Sequence, residues 1–427
     1  MFRMKTWFLA FAVLGMLAMS ARAGTVWEKN LIVDNWSSVS NVHFADVDGD
    51  GDLDVLATAS GVGQVVWWEN QGAGVFAAAG NTVAALSSAS SVWGANLDGD
   101  SDLDILATGG NNLVWYENAA LSWTTHTIDS GLTTARDALA VNLDGDADMD
   151  VVAIGNANLI WYQNDGSQFF ASNTIAAFSN GRAVHVMDID GQNGLDVLAC
   201  GGNDIVWYEN DGAQSFTTHT ITSSFSSAYS VHAGDLDGDG DVDVMGVSSG
   251  QISWWENDGA QNFSRHLIDE LINNPRDGRL TDMDGDGDRD IAVVCNSDEP
   301  SVVWYENRGN GYFQKHPIHT NWNSVAVFPA NVYGDGRPEL AVACINDDQV
   351  AVWGASTFTD WEPVKIDREA TTYTSLLIHN NRLYVGKTLS AQLDVFDVSN
   401  PGMPALIGGY DQLGGDGTVV WLDNGQY

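Results

Sequence analysis

The chain has 427 residues, 57 of them acidic and 17 basic, for a formal charge of −40. Nothing in such a balance can neutralise a run of phosphates, which excludes nucleic acid as a partner. A hydrophobic share of 44% with 17 Trp also excludes a chain kept unfolded by its own charge, because a large core is available.

The amino terminus reads as an export signal. Arg3 and Lys5 precede an apolar run from Trp7 to Met19, and Ala21-Arg22-Ala23 makes an A-x-A cleavage site before Gly24. The run is shorter than the roughly 20 apolar residues of a membrane span. Removal of residues 1–23 is therefore expected. The mature chain would be secreted, periplasmic or at the cell surface, with no transmembrane segment.

From residue 46 a nine-residue acidic segment recurs. It is complete at Asp46, Asp48, Asp50, Asp52 and Asp54; at Asp235, Asp237, Asp239, Asp241 and Asp243; and at Asp282, Asp284, Asp286, Asp288 and Asp290. Two copies open with Asn: Asn96, Asp98, Asp100, Asp102, Asp104 and Asn142, Asp144, Asp146, Asp148, Asp150. The Asp188 copy keeps Asp190 and Asp196 but has Gln192 fifth and Asn193 sixth, so weaker binding is expected there. The worn copy from Asn331 has Tyr333 third and keeps only Asp335 and Glu339 as acids, and is expected to bind nothing.

Successive copies start 50, 46, 46, 47, 47 and 49 residues apart, the spacing of a repeat architecture. Calcium takes six to eight hard oxygens, which short Asp side chains on a tight loop supply from places one, three, five and nine, with a backbone carbonyl from place seven. Gly at place six permits the sharp turn. An EF-hand would carry Glu at place twelve and then a helix; Ala57 and Gly246 stand there instead, within apolar strands. The seven segments hold 28 of the 57 carboxylates, a density that divalent cations would relieve. Five to six structural calcium sites are expected.

Around each loop the chain reads as strands. Residues 38–45 alternate toward apolar, and 54–59 are continuously apolar, as in a strand covered on both faces. Val65-Val-Trp-Trp-Glu-Asn70 makes a third strand, a Gly-containing turn follows, and a fourth lies near Phe76 to Val83. The turn recurs as Asn-Asp-Gly at 164–166, 210–212 and 257–259, residues that tolerate positive φ. Four strands per unit of about 47 residues define a propeller blade. The fold class is all-β, a β-propeller of seven four-stranded blades, with the last strand of blade seven expected at 358–367. A Trp-aromatic-Glu-Asn motif recurs from Trp67, Trp115, Trp161 (Gln163 for Glu), Trp207, Trp254 and Trp304, and fades at Trp353; its place inside a strand points to packing between blades. Cys200, Cys295 and Cys344 stand in different repeats and read as buried core residues.

These units resemble FG-GAP/VCBS repeats, the calcium-loop blades also found in integrin α-chain heads, over residues 27–367. The FG and GAP tripeptides are absent, so the likeness is to the bacterial VCBS variety. The resemblance implies a seven-bladed propeller over 24–367, with calcium in the loop joining the first two strands of each blade. It also implies that the loops share one face and that ligands meet the opposite one. Residues 368–427 carry Leu393-Asp-Val-Phe-Asp-Val-Ser-Asn-Pro401 and resemble the start of an LVIVD-type repeat domain cut off at the end of the sequence. Alternatively, residues 374–400 form an eighth blade closed by the strand Trp27 to Val33, hiding sheet edges.

Opposite the loops, six to ten residues before successive copies, stand Trp36, Arg136, Arg182, Tyr229, Arg276 and Trp322, residue types that binding surfaces enrich. Three residues before the copies stand His43, Trp93, Leu139, His185, His232, Arg279 and Phe328, of which the His set admits acid–base or metal chemistry but sits among apolar neighbours. Neither G-x-S-x-G nor H-E-x-x-H occurs. Two readings follow: a secreted recognition or adhesion module for protein or glycan with structural calcium and no catalysis, or a propeller enzyme of the polysaccharide lyase or dehydratase type. The second requires His43, His185, His232 and Arg279 to converge.

Overall fold

The computed structural model describes residues 26–192, 194–297, 300–309, 311–320 and 322–357, and four strands between 373 and 410. Six antiparallel four-stranded meanders occupy residues 39–85, 89–129, 137–177, 181–222, 228–269 and 275–319. In each, the chain runs from an innermost strand outward. Blade one pairs Val39–Ala45 with Asp54–Ala59, then Gln64–Trp68, then Asn81–Ala85. Hydrophobicity follows that order. The second strand, Asp54–Ala59, is buried at every position because neighbouring blades cover both of its faces. An outer strand such as Phe216–Thr222 is exposed or half-buried at every position.

The seventh sheet contains Trp322–Ala330, Glu339–Cys344 and Gln349–Thr357, and its fourth strand is Val26–Val33 from the amino terminus. The two ends of the propeller chain therefore share one sheet. This corrects the eight-blade alternative: the amino-terminal strand does close the ring, but into blade seven. The segment 358–367, expected as that blade's last strand, lies outside the described residues. The innermost strands pack side by side in sequence order, and that of blade seven returns to that of blade one. Closure leaves the inner edges short and protected inside the channel. Sheets six and seven are further joined where Asn296 and Ser297 pair with Asn323 and Trp322.

Hydrophobic clusters lie between blades. One joins Val65 and Trp67 of blade one to Val92, Ile105 and Ala107 of blade two. Trp67, Trp115, Trp161, Trp207, Trp254, Trp304 and Trp353 are all buried in such positions, and truncating one to Ala would cost about 3–5 kcal/mol. The three cysteines are free and buried, so adhesion between blades, not cross-linking, holds the ring. Residues 27–356 make up this unit. In the other unit, Tyr373–His379, Arg382–Lys387, Gln392–Asp397 and Ala405–Tyr410 form a separate antiparallel meander.

Candidate metal centres and axial channel

Each acidic segment forms the loop between the innermost strand and the second. In loop one, Asp46 accepts the Gly49 and Gly51 N–H groups at 2.9 and 3.0 Å. Asp48 accepts that of Asp50, and Asp50 that of Asp52. These bonds coil the loop and turn the carboxylates toward one another. Oxygens of Asp46, Asp48 and Asp50 lie within 4.8 Å of one another, as do those of Asp235, Asp237 and Asp239. The fourth and sixth loops gather Asp188, Asp190 and Asp196, and Asp282, Asp284 and Asp290. Oxygens on a common calcium at 2.3–2.6 Å are at most about 5 Å apart, so all four clusters fit a cation of that kind. Burial, then neighbouring acids, raises Asp48 and Asp237 above the usual carboxylate range, the strain that a bound cation removes.

The ninth-place acid has a different environment. Asp54 is fully buried; its Oδ2 accepts the Val47 N–H at 2.9 Å and its Oδ1 that of Asn70 at 2.7 Å. The same pair of bonds recurs at Asp104, Asp150, Asp196, Asp243 and Asp290. Burial pushes Asp54, Asp243 and Asp290 up to about 7. The place-nine carboxylate thus ties the loop to the third strand, and only in loops four and six does it also join the acid cluster. Its partner is the Asn that ends each Trp motif. The Asn118, Asn164 and Asn307 side chains donate to the place-eight carbonyl of their own loop and to a place-two carbonyl of the preceding blade (Val47, Leu97 and Leu236). The sequence reading took this Asn as part of a packing motif; its recurrence beside every well-formed loop was the available signal.

Two further features were missed. The fourth place is Gly in every loop with φ between +70° and +82°, whereas Ser101 and Ala147 at place six avoid the left-handed region. Place four is the turn that demands Gly. In addition, the motif Glu meets a His from the fourth strand. His126, His219, His266 and His316 stack on Trp115, Trp207, Trp254 and Trp304 at 4.4–4.7 Å. Each places Nε2 2.7 Å from Glu117, Glu209, Glu256 or Glu306. Blade three substitutes both members: Asn173 stands opposite Trp161, and Gln163 donates to Asp144 at 2.6 Å.

In the loops opened by Asn, the Asn96 and Asn142 Oδ1 atoms take the place-four N–H bond and their Nδ2 atoms donate to the carbonyls of Asp100 and Asp146. In the worn loop, Glu339 accepts the N–H groups of Val332 and Tyr333 at 2.7 and 3.1 Å, so the longer side chain does the work of Asp at place nine.

The ring of innermost strands encloses a channel, and register stacks its lining in layers. Three residues before each loop, His43, Trp93, Leu139, His185, His232, Arg279 and Phe328 line one cavity of about 550 Å³ that reaches the loop end at Asp235 and Arg289. The four residues required to converge therefore do so. His43 packs against Phe328 at 4.0 Å and Trp93 at 4.5 Å; His185 and His232 meet at 4.8 Å. Burial, then the charge of Arg279, pushes His43 down to about 3 and His185 to about 4, so both are neutral.

Six residues before each loop, the opposite mouth is lined by Ser40, Ser90, Arg136, Arg182, Tyr229, Arg276 and Val325 around about 390 Å³. Arg136, Arg182, Tyr229 and Arg276 thus come together on four successive blades. Trp36 and Trp322 do not join them. Trp36 is buried edge-on to Trp68 at 5.2 Å, and Trp322 lies against Trp353 under the Lys29 ammonium. Trp36 stands ten residues before its loop, ahead of the inner strand, and Trp322 nine residues before its own, at the first position of that strand, where a large indole is covered by the blade core.

Fold and loops together define a β-propeller built of acidic-loop blades. The model of the FG-GAP-like repeat matches residues 46–107, 188–246 and 282–342, so the chain carries FG-GAP-like repeats in that fold. No curated protein matches. Among solved structures, BBS1N in its complex with ARL6DN is similar at 12% identity, over 78% of this chain and 98% of that one, with a TM-score of 0.56. Virginiamycin B lyase from Staphylococcus aureus follows at 8%, 77%, 98% and 0.54. An Agrocybe aegerita lectin that recognises non-reducing terminal N-acetylglucosamine matches at 19%, 67%, 81% and 0.50. At these identities the likeness is one of fold.

Proposed function

We propose that this is an exported recognition or adhesion module for an extracellular protein or glycan, not an enzyme, with five to six calcium ions as structural staples. The ligand meets the channel mouth away from the loops. Asp and Asn side chains at places one and three would hold each ion, joined by place five or, in loops four and six, by the place-nine Asp, and calcium supplies rigidity there without chemistry. The observation that carries the reading is the polarity of the inner strands, each with an acidic loop at one end and, in four successive blades, Arg or Tyr at the other. Residues 1–23 act as the export signal, and residues 368–427 belong to a second, LVIVD-type unit. Among the described residues no helix is long and apolar enough to cross a membrane. Screening the calcium-loaded protein against immobilised glycans and surface proteins tests the reading: binding abolished by Arg182→Ala supports it, and binding abolished only by loop variants contradicts it.

A lyase-type enzyme is the second reading, supported by the convergence of His43, His185, His232 and Arg279 in one channel. A neutral imidazole can accept a proton while a guanidinium stabilises the resulting anion. Ultraviolet absorbance from an unsaturated product, lost in His185→Ala and His232→Ala, would establish it over the first.

A further inference from the structure

Ten Lys and Arg residues lie between 27 and 357, and four of them, Arg136, Arg182, Arg276 and Arg279, line the mouth cavity. In a chain of charge −40, such clustering of positive groups calls for a cause. Among the described residues no carboxylate lies within ion-pair distance of Arg136, Arg182 or Arg276. The two acids in the same wall are engaged otherwise. Asp277 accepts the Ser230 hydroxyl at 2.8 Å and the Val327 N–H at 3.1 Å, and lies 3.5 Å from Arg279. Asp137 accepts the N–H groups of Val184 and Ala138 at 3.1 and 3.0 Å. Both staple neighbouring blades. The Nε atoms of Arg136 and Arg276 are buried without a hydrogen-bond partner. Burial, then the like charge of Arg182, holds Arg136 below its ordinary value. Tyr229 lies between two of the guanidinium groups, 4.3 Å from Arg276 and 5.3 Å from Arg182, which fixes them in place by cation–π attraction.

We propose that this arc binds the carboxylate of a hexuronate unit of an acidic glycan. The proposal rests on the mouth being the ligand face and names what enters it. A guanidinium fork matches a carboxylate with two parallel hydrogen bonds, and guanidinium groups already held in place lose little freedom on binding. The wall across the ring carries the Asn41 amide, Ser40 and Ser90, whose hydroxyls donate to the Ala89 and Ala135 carbonyls at 2.7 and 2.9 Å, and the apolar Val325, Ala326 and Ile345, a mixture that suits the hydroxyl edge and the C–H face of a sugar ring. The volume suits one or two sugar rings. The acidic loops lie roughly 20 Å away along the inner strand, well beyond the ~8 Å screening length at physiological salt, so their charge does not repel the ligand.

The test is titration calorimetry of the full calcium-loaded chain with galacturonate and glucuronate, against galactose and glucose, at low and high salt. The expected result is uronate binding at least tenfold tighter than neutral hexose, weakened by salt, and weakened tenfold or more in Arg136→Gln/Arg182→Gln. Lys315→Gln, on the outer strand of blade six, should leave it unchanged. An unaltered melting temperature shows that the double variant is folded, and Arg182→Lys, which keeps charge but loses the fork, should give an intermediate loss. Neutral hexoses binding as well as uronates, and weakened by the Arg changes to the same degree, would overturn the carboxylate assignment while keeping the mouth as the ligand face. Binding of hexaglutamate but no sugar, sensitive to the same changes, would overturn the glycan assignment in favour of an acidic peptide. No binding of any probe would overturn the proposal, and ligand capture sensitive to loop variants alone would remove the ligand face with it.

Discussion

Loop five and loop seven have nearly the same backbone and opposite chemistry. Both turn on Gly in the left-handed region at places four and six: Gly238 and Gly240 in one, Gly334 and Gly336 in the other. Both are closed by a place-nine carboxylate that takes the place-two N–H, Asp243 from Leu236 and Glu339 from Val332. Yet loop five gathers Asp235, Asp237 and Asp239 around one point, while loop seven carries Tyr333 at place three, packed so closely on Gly74 that a Cβ there would lie 1.8 Å from the ring. The loop shape therefore needs the glycines and the ninth acid. Loop seven keeps an acid at place five, where Asp335 takes the Arg337 N–H at 3.0 Å as Asp239 takes that of Asp241 at 2.9 Å. Acids at places one and three are not required for the shape, which leaves metal as the reason for them.

The largest effect that sharpens this contrast is removal of calcium. At a hundredfold excess over Kd each ion stabilises the fold by about 2.7 kcal/mol, so five sites should lower the melting temperature in a chelator by about 10 °C or more. Next, replacing the ninth-place acid should damage both blades alike. Asp243→Ala leaves the Leu236 and Asn257 N–H groups buried and unsatisfied, and Glu339→Ala leaves that of Val332 buried and that of Tyr333 half-buried without their acceptor. Each should cost about 3 kcal/mol in urea unfolding even in a chelator, where Asp237→Ala should be nearly neutral. A large effect of Asp237→Ala without calcium would break the distinction.

The channel answers to pH instead. Its imidazoles titrate lower folded than unfolded, so their contribution is intact above pH 6.5 and is lost as pH falls toward about 4 for His185 and about 3 for His43. By pH 4 the fully enclosed His43 should account for about 3 kcal/mol of lost stability. His43→Phe, which keeps an aromatic ring between Trp93 and Phe328, should flatten the acid limb of a stability–pH curve measured in a chelator. An unchanged limb would show that the imidazole is not held neutral. Smaller still, Gly74→Ala should cost about 1–3 kcal/mol, because Tyr333 fills the space of a side chain and φ is +74°.

Much of this was legible in the sequence because the loop repeats place by place: it set the blade length, the strand order and the grading from complete to worn. The division of labour within the loop was not legible. Asp at place nine reads like Asp at place three until the burial of Asp54 separates them. Closure by Val26–Val33 was not legible as such either, since that strand pairs with one more than 300 residues away and no local pattern names a distant partner. At the mouth, a window of six to ten residues mixed two structural positions, and only the register of the inner strand separated Arg136 and Arg182 from the buried Trp36 and Trp322.

The account stands most directly on calcium stoichiometry in two variants of the stripped protein. Titration calorimetry should find five to six ions in the parent, one fewer in Asp237→Ala of loop five, and an unchanged number in Asp335→Ala of loop seven. Equal losses in the two variants, or no calcium bound by the parent, would contradict it.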